Sequence, residues 1–126
     1  MPLHWHILHD EQLVKLKTEG ALRLDDVIVY LDALHHAGAL GYRKLTDARE
    51  GYSDMTEGDL MSLLGMGAGY SQMKPLGPNA FIVSTESANA HRPVLQRLFV
   101  DKSRELKMFT DAEQALEWIR EQPVSG

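Results

Sequence analysis

The chain of 126 residues contains no cysteine. This absence excludes disulfides, a thiol nucleophile and a cysteine-based zinc site, and it is compatible with a reducing compartment. Long hydrophobic runs are also missing, since no segment reaches the roughly 18 apolar residues of a membrane-spanning helix. The first residues lack the basic region of a signal peptide. We therefore expect a soluble, cytoplasmic protein.

Positive charge is scarce as well. Thirteen Lys and Arg stand against 18 Asp and Glu, which gives a formal net charge of −5. This balance argues against general binding to a phosphate backbone, so we expect no nucleic-acid partner. The length predicts a single domain over residues 1–126, large enough to bury about two thirds of the surface that its unfolded chain exposes.

The first half of the chain predicts a hairpin followed by a helix. Apolar and polar residues alternate over residues 3–7, and residues 13–18 form a second strand that Gly20 closes. The helix starts at the acidic pair Asp25 and Asp26 and ends at Gly38 or Gly41. Its predicted buried face consists of Val27, Ile28, Leu31, Leu34 and His35. Residues 42–47 predict the third strand.

The second half predicts three further elements before a closing βα unit. Thr56 and Asp59 form a capping pair that opens a second helix, residues 80–83 predict a central strand covered on both faces, and a third helix starts near Asn89. The complete order is ββαβαβαβα. We therefore expect an α/β fold with one mixed sheet covered by helices, in which the strands at Leu45, Ile82 and Met108 are parallel and joined by right-handed crossovers.

The closing unit runs from a short strand directly into a helix. Thr110 is predicted to cap this helix, with Glu113 reaching back to it, and Pro123 stops it. The apolar residues follow helical spacing and predict one buried stripe, formed by Ala112, Ala115, Leu116 and Ile119.

A candidate apolar cleft lies along the second predicted helix. Gly65, Gly67 and Gly69 predict a soft hinge, because each glycine inside a helix costs about 1 kcal/mol relative to alanine. Methionine adapts to irregular apolar space, so the neighbouring residues could line a cleft for an apolar ligand. The candidate lining residues are Leu60, Met61, Leu64, Met66 and Met73. The alternative is that these side chains only fill the core.

Residues 91–107 carry a local positive charge within an acidic protein. Arg92, Arg97 and Lys102 alternate there with apolar residues, a pattern that could rest on an anionic membrane surface. An ordinary amphipathic helix that covers the sheet explains the same pattern.

No other motif matches a recognisable arrangement of catalytic or metal-binding residues. His4 and His6 point to the same side of a strand, but no third metal ligand has a suitable spacing. His35 and His36 fit a helix C-terminus, where positive charge is favourable. We therefore assign no catalytic residues, no metal and no cofactor.

Several segments resemble the bacterial SpoIIAA-like family. They are Leu3-His-Trp-His-Ile7, Asp26-Val-Ile-Val-Tyr-Leu-Asp-Ala-Leu34, Lys44-Leu-Thr-Asp-Ala-Arg49 and, above all, Met108-Phe-Thr-Asp-Ala-Glu-Gln-Ala-Leu-Glu-Trp-Ile119. That family is similar to the STAS domains of anti-sigma-factor antagonists and to CRAL-TRIO lipid carriers. The resemblance implies a small α/β domain without catalysis, which acts through partner binding, membrane association or carriage of nonpolar molecules.

One departure concerns the phosphorylated serine of the antagonists, which lies in an Asp-Ser-Ser-Gly-like turn before the second helix. Tyr52-Ser-Asp-Met-Thr56 stands there instead, so Ser53 and Thr56 are the remaining candidate phosphosites. We expect a non-enzymatic binding domain that carries or senses an apolar or lipid-like ligand, or associates peripherally with a membrane. The alternative is a protein-interaction switch of the antagonist type.

Overall fold

The structure is a computed structural model that describes residues 3–53, 56, 58–59, 62, 77–84 and 106–124. Five strands and two helices lie in these ranges. In chain order they are β1 (Leu3–Leu8), β2 (Leu13–Leu22), α1 (Leu24–His36), β3 (Arg43–Ser53), β4 (Asn79–Ile82), β5 (Leu106–Phe109) and α2 (Ala112–Glu121). The second and third predicted helices lie outside the described residues, except that Gly58, Asp59 and Ser62 have helical backbone. The full predicted order is therefore confirmed only for its strands and its first and last helices.

The strands form one mixed sheet in the order β1-β2-β3-β4-β5. β1 and β2 are antiparallel, as the predicted hairpin requires, whereas β2, β3, β4 and β5 are parallel to one another. The predicted parallel arrangement of the strands at Leu45, Ile82 and Met108 is thus confirmed.

Two strands extend beyond their predicted ends. β2 continues to Leu22 and β3 to Ser53, because the parallel pairing of these strands persists as far as Leu22 opposite Ser53. Gly20, with φ of +68°, lies within β2 instead of closing the hairpin. The register shifts between Lys17 and Glu19, a β-bulge that lets the pairing continue.

α1 packs on one face of the sheet, called here the α1 face. Tyr30 and Leu34 are its buried residues, whereas His35, which we predicted to share the buried side, is exposed. The helix begins with the Asp26 carboxylate accepting a hydrogen bond from the Arg23 N–H at 3.1 Å. Gly38, with φ of +70°, follows the helix end, as predicted. The buried cluster below α1 contains Leu3, Val14, Leu16, Tyr30, Leu34, Ala39 and Leu40.

α2 packs on the opposite face, the α2 face, where it contacts β3, β4 and β5. Ala115 and Ile119 are buried, with Ala112 and Leu116 partly buried beside them, so the predicted stripe is confirmed. The predicted cap is wrong by one residue. Asp111, and not Thr110, accepts hydrogen bonds from the N–H groups of Glu113 and Gln114, at 2.8 and 3.3 Å. Its carboxylate suits the partial positive charge of a helix N-terminus.

Arg43 holds the other end of α2 against the sheet. Its guanidinium donates to the Arg120 carbonyl at 2.7 Å and also to the Glu11 carbonyl in the β1–β2 turn. A cation at the last carbonyls of a helix interacts favourably with the helix dipole. This contact joins the first turn of the chain to its last helix.

Candidate functional site

Most of the sequence-predicted site residues belong to the connections between β3 and β4 and between β4 and β5. The apolar cleft residues, the glycine hinge and the basic residues all lie outside the described residues: Leu60, Met61, Leu64, Met66, Met73, Gly65, Gly67, Gly69, Arg92, Arg97 and Lys102. The structure describes both faces of the sheet and, in the β3–β4 connection, residues 56, 58–59 and 62.

The β3–β4 connection starts with the predicted capping pair. The Thr56 hydroxyl accepts a hydrogen bond from the Asp59 N–H at 3.1 Å, and the Asp59 carboxylate accepts one from the Thr56 N–H at 3.0 Å. This reciprocal pair satisfies two backbone donors that a helix start leaves free, so the predicted cap is confirmed. Thr56 is exposed, and Ser53 is the last residue of β3.

The α1 face carries a second apolar cluster on its β3–β5 side. It consists of Ala48, Phe81 and Val83, all buried, with Met108 packed against them. Phe81 and Met108 are direct partners in the register of β4 and β5. We call these four residues the apolar floor.

Buried polar residues lie at the amino end of this floor. The Thr46 hydroxyl donates to the Asn79 side-chain oxygen at 3.0 Å, and both residues are buried. Lys44, which is only 4% exposed, donates its ammonium protons to the carbonyls of Leu40 and Tyr42 at 2.6 and 3.0 Å. These bonds satisfy groups that would otherwise be costly to bury. The sequence signal for them was the pair Lys44 and Thr46 at alternate positions of a strand, which places both on one face.

Beyond Leu13, which is buried under α2, the α2 face of β1 and β2 and the end of β3 carry exposed charged residues. Lys17 lies 3.1 Å from the Glu50 carboxylate and 3.5 Å from that of Glu19, which in turn is 3.7 Å from His4. Glu50, and to a lesser extent Glu19, holds the pKa of Lys17 above its usual value. We call this exposed area the charged surface.

Asp47 and Arg49 form a further ion pair on β3, with a shortest N–O distance of 2.7 Å. The Arg49 guanidinium holds the pKa of the Asp47 carboxyl below its usual value, against the opposing effect of partial burial. Pairs this exposed contribute little to stability, because solvent screens them.

The histidines show no metal-binding geometry in the described ranges. His4 and His6 share one side of β1, but no group of three or more His, Cys, Asp or Glu among the described residues could hold a metal ion. At the end of α1, His36 donates to the Asp32 carbonyl at 2.8 Å. This bond agrees with the predicted role of the histidine pair at a helix end.

Comparison with known proteins identifies the fold. No family model matches the chain, and no curated protein matches it. Among solved structures, the chain is similar to an uncharacterised protein of the DUF3478 family with a SpoIIAA-like fold from Shewanella loihica PV-4. The two are 19% identical, the match covers 93% of each chain, and the TM-score is 0.66. The chain therefore has a SpoIIAA-like fold, and the predicted resemblance is confirmed at that level.

No helix in the described ranges is long and apolar enough to cross a membrane.

Proposed function

We propose that this chain is a non-enzymatic binding domain for an apolar or lipid-like molecule. The observation that carries the proposal is the apolar floor, a patch of sheet surface formed by Ala48, Phe81, Val83 and Met108. It lies on the same face as α1 but on other strands, β3 to β5. Ala48, Phe81 and Val83 are buried and Met108 is partly buried, so a ligand would reach the floor only when the segment that covers it opens. The ligand would then keep this apolar surface out of water, which is the main driving force of apolar binding.

The β3–β4 connection is the expected cover of this floor. α1 joins the parallel strands β2 and β3 across the α1 face, and β4 is the next strand in the same direction. Crossovers between parallel strands keep one hand, so the next connection is expected on the same face. The predicted lining residues Leu60, Met61, Leu64, Met66 and Met73 belong to this connection. The hinge predicted at Gly65, Gly67 and Gly69 would let it open.

The direct test uses the uncharged fluorescent probe N-phenyl-1-naphthylamine, whose emission rises in apolar surroundings. We expect the wild-type chain to bind the probe at a saturable site. Met108→Gln keeps the length of the side chain but places an amide on the floor, which should weaken probe binding roughly tenfold. Hydrogen exchange over residues 60–73 should slow when the probe is bound, because binding favours the closed conformation.

The matched control is Lys107→Gln on the same strand. Lys107 is exposed and lies on the α2 face, so this variant should bind the probe like the wild type. The proposal is wrong if the wild-type chain does not bind the probe. It is also wrong if both variants bind equally well, because the floor would then not be the site.

A second candidate function is the protein-interaction switch, which the exposed position of Thr56 favours. A phosphate on this hydroxyl would lie close to the Asp59 carboxylate that accepts from the Thr56 N–H. Repulsion between these negative groups would disrupt the cap and change the surface at the start of the connection. Phosphopeptide analysis of protein from its own host, covering Ser53 and Thr56, tests this role. Full coverage without any modification would contradict it.

Membrane association through Arg92, Arg97 and Lys102 stays a prediction. We expect sedimentation with anionic vesicles at low salt and release at high salt, since salt screens charge-driven binding. Neutral vesicles are the control. If the chain does not bind anionic vesicles at low salt, the membrane prediction is wrong. These residues would then only form the polar side of a helix that covers the sheet.

A further inference from the structure

β1 is an edge strand that lacks the groups that usually prevent edge strands of two molecules from pairing. Natural edges are shielded by charged side chains, proline or bulges. The six residues of β1, Leu-His-Trp-His-Ile-Leu, contain no Lys, Arg, Asp, Glu or Pro. Within the described part of the chain, β1 pairs with β2 alone. Its outer row of backbone N–H and C=O groups is therefore suited to pairing with a further strand.

The side chains of β1 read almost the same in both directions from Trp5. His4 and His6 flank the tryptophan, and Leu3 and Ile7 flank the histidines. Two identical antiparallel strands related by a twofold axis at Trp5 would place His4 opposite His6 of the second copy. Leu3 would lie opposite Ile7 of the second copy, and the two tryptophans would meet. Like residues would thus face like residues on both sides of the sheet.

We propose that two copies of this chain pair through β1, with a twofold axis at Trp5. The sheet of each copy then continues into that of the other, from five strands to ten. The apolar side of β1 supports this arrangement. Trp5 and Ile7 are only partly buried within one chain, although the Trp5 ring contacts Tyr30 of α1 at 5.4 Å between centroids. A second copy covers the remaining apolar surface at the edge.

The polar side of β1 makes this pairing sensitive to added charge. Within one chain, His4 lies opposite Lys17 and close to Glu19, and His6 lies opposite Lys15. Lys17 is bound by Glu50, and α2, the helix of this face, contacts β3, β4 and β5. From the second copy, each histidine meets the other histidine. Four histidines therefore lie together on this side of the joined strands, and lysines placed at these positions would meet lysines of the second copy.

Sedimentation of the whole chain tests the proposal. At neutral pH we expect a mass twice the 14.2 kDa of the chain. His4→Lys with His6→Lys puts like charges opposite each other, which should raise the dissociation constant more than about tenfold at neutral pH. Both positions are exposed, so the fold of one chain should survive. Circular dichroism checks this.

A charge swap tests the register. His4→Lys with His6→Glu places each new lysine opposite a glutamate of the second copy, so this variant should remain dimeric at neutral pH. The control, Val29→Lys with His36→Lys, adds two charges on the exposed side of α1 and should leave the dimer intact. A monomeric wild type at neutral pH would overturn the proposal. The proposal would also be overturned if the dimer persisted in the variant His4→Lys with His6→Lys. Dissociation of the dimer by the charge swap, or by the α1 control, would overturn it as well.

Discussion

Adjacent residues of β2 lie in opposite environments. Val14 and Leu16 are buried below α1, whereas Lys15 and Lys17 are exposed on the charged surface. On β4, by contrast, residues of both faces are buried, and those of the α2 face, Ala80 and Ile82, lie under α2. The comparison shows that the covering helix, and not the strand itself, decides which residue types a sheet position accepts. The α2 face is thus packed where α2 covers it, at Ala80 and Ile82, and exposed beyond α2, at Lys15 and Lys17.

The largest expected difference in stability is between substitutions at two neighbouring residues of β2, one buried and one exposed. Leu16→Ala removes buried side-chain atoms and leaves a cavity, so it should lower the free energy of unfolding by about 2 to 5 kcal/mol. Lys17→Ala removes only an ion pair that solvent screens, so the free energy of unfolding should stay close to that of the wild type. Urea unfolding of both variants measures the difference. Equal losses would contradict the assignment of the two faces.

A smaller effect is expected for Lys44, the charged residue on the packed side. Lys44→Met keeps the length of the side chain but removes the ammonium that donates to the carbonyls of Leu40 and Tyr42. The Leu40 carbonyl still accepts from the Gly77 N–H. We expect a loss of about 1 to 3 kcal/mol in the free energy of unfolding. Lys15→Met, on the exposed side, is the control and should be close to neutral. If Lys44→Met is more stable than the wild type, burial of the ammonium costs more free energy than its hydrogen bonds contribute.

The cap of α2 tests how firmly the covering helix is fixed on its face. Asp111→Ala removes the acceptor of two N–H groups and should cost about 1 kcal/mol of unfolding free energy. Thr110→Ala, one residue earlier, should cost much less if Asp111 is the true cap. Thermal or urea unfolding of the two variants shows which residue is the cap. A larger loss of unfolding free energy in Thr110→Ala would mean that Thr110 is the cap, as the sequence predicted.

The smallest expected effect concerns pH and the ion pair of Asp47 with Arg49. Because the pKa of Asp47 is lowered in the folded state, its contribution is present above the unfolded value near pH 4 and is lost as the pH falls through the folded value. Asp47→Asn should therefore lose less stability than the wild type between about pH 5 and pH 2, by about 0.5 kcal/mol or less. Asp10→Asn in the exposed turn is the control. Parallel pH profiles for the wild type and Asp47→Asn would contradict this reading.

Much of the fold could be predicted because its signals are local. The hairpin, the end of α1 at Gly38, the pair of Thr56 and Asp59 and the buried stripe of α2 each depend on residues a few positions apart. The cap of α2 was misplaced because Thr110 and Asp111 are both good capping residues, and only the backbone of the turn selects one of them. The candidate cleft is a different case, since its residues lie outside the described ranges and its assignment stays a prediction.

The sequence by itself determined the class of fold, the two observed helices and the parallel strands, because alternation, helical spacing and turn residues act within one segment. Only the tertiary structure decided how far β2 and β3 extend, since their final residues are held by each other and not by their own preferences. It also decided that Lys44 is buried and that Arg43 reaches Arg120. Such contacts join residues that are far apart in the chain or wrapped by other elements, and no local pattern encodes that proximity.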